Sequence, residues 1–291
     1  MFFARPRARR PTSGAASRRR PTSKGLPQLR NAHGPATACP VRQVPAPGIV
    51  CFVLLQATLN GPLTKADHRA VPVTLAELAA DAAECVSAGA GAFHVHPRDE
   101  SGAESLQARV VDRVVSAVRE PHGMPVGVTT GEWIEPDLQQ RLRLIREWTQ
   151  PDYTSVNLSE PGAVEVMQVL LATRVGIEAG VWTVADAELL VGSGLAGRVT
   201  RVMIEPVEVS RLDAVPLVSA IHDVLDRAEV RAPRLQHGDG EATWILIEDA
   251  VQRGIDTRVG FEDTLLLPDG QRATSNADLV RAAYELGAGR T

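Results

Sequence analysis

Gly91-Ala92-Phe93-His94-Val95-His96-Pro97-Arg98-Asp99 reads as a short strand with an apolar approach and a polar end. Side chains alternate faces along a strand, so His94 and His96 point the same way. Two neutral imidazoles at that spacing make a ready pair of ligands for a divalent metal such as zinc. A lone buried histidine is more often a core residue with its hydrogen bonds met; a same-face pair at a strand end is harder to dismiss.

The same unit recurs along the chain. Strands are expected at Ile49–Gln56, Ala92–His96, Pro125–Thr129, Tyr153–Asn157, Gly176–Val181, Val199–Ile204, Arg234–Gln236 and Thr257–Gly260. Helical patterns fall near Leu75–Ala88, Ala108–Arg119, Glu135–Trp148, Ala163–Leu171, Val184–Ser193, Ala214–Arg227, Ala242–Arg253 and Asn276–Leu286. Eight strands, each followed by a helix, predict an α/β fold of the (β/α)8 TIM-barrel type. A dinucleotide-binding sheet fits less well, because no GxGxxG-type loop follows the first strand. The strand at Arg234 has few apolar residues and the last helix is short, so the closing unit is expected to be trimmed.

Polar residues gather where the strands end: Asn60, His94, His96, Thr129, Ser155, Asn157, Glu178, Glu205, His237, Glu262 and Asp263. In a barrel these positions converge on the carboxyl-terminal rim, where active sites of this fold are built. Any one of them could merely cap a helix.

Composition bounds the rest. Of 291 residues, 44% are hydrophobic, enough for a sizeable core. Residues 1–46 carry ten Arg or Lys and no acid, leaving 21 basic against 35 acidic residues in the remainder, a net of −14. This Arg-, Pro- and Ser-rich leader is expected to be disordered, with residues 47–291 as one catalytic barrel. A nucleic-acid-binding arm is the livelier reading of the leader, but it lacks aromatics interleaved for base stacking and the folded part is acidic, so no nucleic-acid partner is expected. No apolar run is long enough to span a membrane. Cys39, Cys51 and Cys85 make no CxxC pair and no even framework, which favours a reducing, cytoplasmic setting.

A second cluster, Arg258-Val259-Gly260-Phe261-Glu262-Asp263, supplies carboxylates. Two histidines and a carboxylate around zinc leave a position open for water or substrate. Glu262 could be that carboxylate, leaving Asp263 as a base that Arg258 keeps ionised and oriented. The same residues would equally make an ordinary Arg–Asp ion pair at a strand end.

Further stretches join these: Thr58-Leu59-Asn60-Gly61, Ala66-Asp67-His68, Pro72-Val73-Thr74, Ala88-Gly89-Ala90, Thr129-Thr130-Gly131, Ser155-Val156-Asn157 and Ser275-Asn276-Ala277. In this order, over nearly all of the expected barrel, the chain resembles the β-keto acid cleavage enzyme family, whose founding activity is the cleavage of 3-keto-5-aminohexanoate. The resemblance implies zinc held by His94, His96 and Glu262, and condensation of a small β-keto acid with acetyl-CoA to give acetoacetate and a new acyl-CoA. It implies Asp263 as the base, Arg258 as its guide, hydroxyls for substrate contact at Thr129 and Ser155, and further contacts at Asn60 and Asn157. It also implies a homo-oligomer, commonly a tetramer.

Two departures stand out. The founding enzyme holds its substrate's amino group with a Glu soon after the first strand; here that loop reads Asn60-Gly61-Pro62-Leu63-Thr64, with no acid. A buried ammonium would lose its counter-ion, so the keto acid is expected to be neutral or differently charged at its far end. On the fifth strand the family's acid that supports the Arg aligns with Gly180, and Glu178, on the same face, could substitute or could be structural. Two rivals remain. A zinc-dependent barrel hydrolase also suits an HxH pair, although such barrels usually carry it on the first strand. A non-catalytic metal-binding barrel is disfavoured by the full set of His94, His96, Arg258, Glu262 and Asp263. His68, His237 and Glu241, near the rim, could touch CoA or substrate or could equally have ordinary loop roles; His122 and His222 are expected to be solvated, and Trp133, Trp182 and Trp244 to be packing residues.

Overall fold

The computed structural model describes residues 53–289; the leader expected at residues 1–46 lies outside them. The first half of the fold runs β1 (Leu55–Thr58), α1 (Leu75–Ala88), β2 (Ala92–Val95), α2 (Ala108–Arg119), β3 (Val126–Thr129), α3 (Leu138–Arg146), β4 (Tyr153–Asn157) and α4 (Ala163–Leu170). The second half runs β5 (Gly176–Val181), α5 (Val184–Gly192), β6 (Arg201–Ile204), α6 (Arg211–Arg227), β7 (Arg234–Gln236), α7 (Thr243–Arg253), β8 (Thr257–Gly260) and α8 (Asn276–Glu285). A 3-10 turn at Gly240–Ala242 precedes α7.

Neighbouring strands pair in parallel in the order β7-β6-β5-β4-β3-β2-β1-β8, the TIM barrel that the alternation predicts. The ring is brought round to β7 by a thin seam: one bridge between Leu235 and Asp256, the Gln236 N–H donating to Asp256 O at 2.8 Å, and the Thr257 hydroxyl donating to Gln236 O at 2.8 Å. No described helix is long and apolar enough to cross a membrane.

The strand bounds of β4, β5, β7 and β8 are those expected. β1 is displaced: among the described residues it begins at Leu55 and runs on through Thr58, past the expected end at Gln56, while residues 49–52 of the expected strand lie outside the described residues. Its register is set by both neighbours, Thr58 lying opposite His94 on β2 and Gly260 on β8. The residues before it are held otherwise, with Leu54 N–H on the Asp256 carboxylate and Val53 O taking the Gly289 N–H.

Polar residues can extend β1 because the barrel's lower interior is itself polar, where this fold is usually filled by branched apolar side chains. Gln56 Nε2 donates to the Tyr153 hydroxyl at 2.9 Å and to Glu178 Oε1 at 3.1 Å, and Tyr153 donates to Phe93 O at 2.6 Å. Arg201, in register with Glu178, brings its Nε to 3.2 Å from that carboxylate. By alternation, the intervening residues face the helices: Val126 and Val128, Ile177 and Ala179, Val202 and Ile204 are all buried there.

The outer face of β7 explains how so polar a strand survives. Gln236 bonds the His222 ring at 2.7 Å and donates to Asp249 at 2.8 Å, while Arg234 reaches His222 at 2.9 Å and Asp226 at 2.6 Å. His222, expected in solvent, is therefore a buried residue of α6 that serves as a partner for this strand.

Thr74 and Glu77 close the capping box expected at the start of α1. One turn on, Asp81 accepts the Asn276 Nδ2–H at 2.6 Å, and that amide also donates to Leu59 O and accepts the Phe261 N–H. Burial pushes the Asp81 carboxyl up to about 7 against the opposing Asn276 hydrogen bond. Between the ordinary value of 3.8 and about 7, the folded chain thus holds a proton that the unfolded chain has released. The stability from this group is complete below that window and is lost as pH rises through it. Asp81→Asn is accordingly expected to raise the urea midpoint at pH 8 and to leave it nearly unchanged at pH 4. Equal midpoints for parent and variant at pH 8 would refute this.

Candidate active site

His94 lies within β2 and His96 just beyond it, and both are almost fully buried. Their Nε2 atoms face the two oxygens of Glu262, at 3.8 Å from His94 and 3.6 Å from His96. One ligand atom from each of the three residues lies within 4.8 Å of the others. His96 Nδ1 is taken by Glu104 at 2.5 Å, which leaves Nε2 as the free nitrogen. Glu262 Oε2 is buried without a hydrogen-bond partner. Two imidazole nitrogens and a carboxylate converging with an unsatisfied oxygen are a donor set that fits a divalent metal.

Local backbone makes this convergence possible. Gly260 pairs with Thr58, and a Cβ on it would fall 1.9 Å from the Thr58 carbonyl oxygen. Gly61, at φ +53°, lets the β1 loop lie flush on Glu262, whose Cγ would be 2.6 Å from any added Cβ. Asn60 grips the backbone of His96, accepting its N–H at 2.9 Å and donating to its carbonyl at 3.1 Å.

The electrostatics favour a cation here. Burial holds His94 down to about 3. For His96 burial also disfavours charge, but Glu262 and Glu104 outweigh it and lift the imidazole to about 9. Glu262 is held well below the ordinary carboxylate range: burial opposes ionisation, and Arg258 with the two histidines overcomes it. The proton that His96 keeps between two carboxylates is therefore one that a bound metal would displace.

Beside this cluster stands Asp263. Its Oδ1 accepts from Arg258 at 2.9 Å and its Oδ2 from the Thr58 hydroxyl at 2.6 Å. Burial pushes Asp263 up to about 6, against the pull of Arg258. Arg258 is also buried, with Glu262 at 3.0 Å and Glu205 at 3.5 Å. His237 has no exposed surface and lies 3.5 Å from Asp263 and 3.8 Å from Glu205.

The other residues singled out in the sequence divide. Thr129, at the end of β3, lies in register with Ser155 midway along β4; Thr129 Oγ1 accepts the Gly131 N–H at 3.1 Å, and Asn157 donates to Glu160 at 2.6 Å. Asn60 is occupied by the His96 backbone. Glu178 is one layer lower and pairs with Arg201; among the described residues the carboxylates within 4.0 Å of Arg258 are Glu205, Glu262 and Asp263. His68 packs its ring 4.6 Å from that of Phe261. Trp133, expected as packing, is 42% exposed and donates its indole N–H to Glu104 at 3.1 Å. In the sequence Thr58 stands out only as part of the Thr58–Gly61 stretch, without a role of its own, and Glu104 not at all. Thr58 carried a signal, since it shares a face of β1 with Gln56. Glu104 carried none, because it belongs to a non-periodic loop.

A family model described as beta-keto acid cleavage enzyme matches residues 53–191 and 224–290. A 3-keto-5-aminohexanoate cleavage enzyme of Fusobacterium nucleatum is 24% identical over 256 residues, covering 81% of this chain and 92% of that protein. Among solved structures, apo ObcA aligns at TM-score 0.59 and 16% identity over 74% of this chain. This chain spans 61% of the ObcA chain's length. ObcA has also been solved as a ternary complex with a C4-CoA adduct and oxalate (TM-score 0.59, 15% identity, 74% of this chain and 63% of that one). The 3-dehydroquinate dehydratase of Geobacillus kaustophilus aligns at 0.55 with 12% identity, over 81% of this chain and 92% of that one, a likeness of fold.

Proposed function

Since the chain belongs to the β-keto acid cleavage enzyme family, we propose that it exchanges acyl groups between a β-keto acid and acetyl-CoA in a zinc-dependent reaction, releasing acetoacetate and a new acyl-CoA. The observation that carries this reading is the buried Asp263 carboxylate, held by Arg258 and Thr58 beside the His94, His96 and Glu262 donors. His94, His96 and Glu262 would hold the zinc, which would supply Lewis acidity toward the keto acid.

Asp263 then takes a proton from the carbon between those two groups. Arg258 and Thr58 each occupy one of its oxygens, so the carboxylate is aimed rather than free to rotate. The carbanion attacks the thioester carbon of acetyl-CoA, a C–C bond forms, and the C–S bond breaks to release the CoA thiolate. The thiolate attacks the original β-carbonyl, the older C–C bond breaks, and the new acyl-CoA leaves. The remaining acetoacetate carbanion recovers its proton from Asp263. Thr129 and Ser155, in register on neighbouring strands, contact the substrate in this reading, while Asn60 acts by holding His96. On the same barrel, ObcA carries a C4-CoA adduct with oxalate, which supports a CoA thioester as the second substrate. A cytoplasmic homo-oligomer belongs to the same reading.

The β1 loop, with no acid between Asn60 and Thr64, favours keto acids without a distal ammonium group. Zinc-loaded protein offered acetyl-CoA and a panel of β-keto acids is expected to release acetoacetate with neutral or anionic members, and to lose this activity on chelation. Turnover of 3-keto-5-aminohexanoate equal to the best alternative would sink the specificity argument. Silence across the panel, with amide or lactone hydrolysis instead, would replace the reaction class.

A further inference from the structure

Beyond the three donors, one contact chain leads from the cluster to the protein surface. After His96 the chain makes a tight hairpin. Asp99 N–H donates to Ala103 O at 2.9 Å, Ser105 N–H to Pro97 O at 2.9 Å, and Arg98 bridges to Glu104. The Asp99 side chain ties the tip by accepting from Ser101 N–H at 2.8 Å. This turn returns Glu104 to His96, where Oε1 meets Nδ1 at 2.5 Å. The other oxygen, Oε2, accepts the Trp133 indole N–H at 3.1 Å. The Trp133 ring also lies over His96, with centroids 6.0 Å apart and planes 25° from parallel.

Both oxygens of Glu104 are thereby committed, one to the histidine and one to an indole from the β3–α3 loop. His94 has no counterpart, since its Nδ1 is buried without a hydrogen-bond partner. A carboxylate on the far nitrogen of a ligating histidine fixes the tautomer, orients the ring and raises its donor strength. An indole N–H on that carboxylate fixes the carboxylate in turn. A large aromatic left 42% exposed at a rim is also easier to explain when it has a polar task.

We propose that Glu104 and Trp133 are positioning residues that set how tightly the His94, His96 and Glu262 cluster holds its metal, through His96 alone. The chain of contacts makes the β3–α3 loop a handle on metal affinity, and the inference rests on the metal-site reading given above.

The test measures zinc affinity by chelator competition at fixed pH for the parent, Glu104→Gln, Trp133→Phe and the hairpin control Glu100→Gln, each checked for an unchanged circular dichroism spectrum. Glu104→Gln, which keeps the shape but loses the anion, is expected to weaken zinc binding about 10–100-fold. Trp133→Phe, which keeps the ring over His96 but loses the N–H, should weaken it by less, and Glu100→Gln not at all. Cobalt added to the parent is expected to quench tryptophan emission, and Trp133→Phe should reduce that quenching, because the Trp133 ring lies 6.0 Å from that of His96. Parent-like affinity in both Glu104→Gln and Trp133→Phe would overturn the inference while leaving the metal site intact. A parent that fails to bind zinc would overturn the metal-site reading and this inference with it.

Discussion

Asp263→Asn is expected to lower kcat on the order of 10³-fold while leaving zinc content unchanged. Asn is nearly isosteric with Asp. Its carbonyl oxygen can still accept from Arg258, which sits 2.9 Å from Asp263, and its amide can donate to the Thr58 oxygen, which sits 2.6 Å away. The geometry therefore survives and only the proton acceptor is lost. In the proposed reaction Asp263 acts on the substrate carbon and is not among the three metal donors, so KM for the keto acid should move far less than kcat. Steady-state kinetics on protein with zinc quantified by atomic absorption gives the answer. A variant within a few-fold of the parent would remove Asp263 from the proton-transfer role.

Arg258→Met carries the second large effect, on stability. The guanidinium is almost wholly buried and lies 2.9, 3.0 and 3.5 Å from Asp263, Glu262 and Glu205. Methionine fills much of the space but leaves three acidic groups facing one another in a low-dielectric interior. Removing one partner from such a buried set costs about 3–5 kcal/mol, which in a barrel of this size lowers the melting temperature by roughly 10 °C. Zinc should restore part of that loss, since a divalent cation beside Glu262 replaces some of the missing charge. The zinc-induced rise in melting temperature is thus expected to be larger in the variant than in the parent. An unchanged melting temperature in metal-free variant would show that the acids are neutralised by another route.

These two residues were visible in the sequence because strand β8 ends in a compact polar run, and the barrel was visible because its strands are short apolar stretches separated by helical periods. β5 and β8 could be delimited to the residue on that basis. β1 could not, because its register is imposed by His94 and Gly260 on either side rather than by its own apolar run. His94 and His96 were legible from period-two alternation alone, and Glu262 from its neighbours. What alternation cannot supply is height within the barrel. Glu178 shares a face with the aligned Gly180, yet register sets it opposite Arg201, and the acid facing Arg258 from that side is Glu205, just past the end of β6. Partners that arrive through loops escape entirely: Glu104 is eight residues beyond His96, and only the hairpin at Asp99 reveals that they touch.

The thin seam between β7 and β8 gives the barrel a preferred direction of breathing. Seven of the joints are stitched by paired strands, whereas this one has one bridge and a few hydrogen bonds around Asp256, whose side chain also takes the Leu54 N–H and lies 3.5 Å from Arg201. Local openings follow the lines of fewest contacts, so the cylinder is expected to part here first. The charged floor of Glu178 and Arg201 lies just behind that slit. Water entering through such a gap would reach the buried ions from the side, away from the rim where His94, His96 and Glu262 stand.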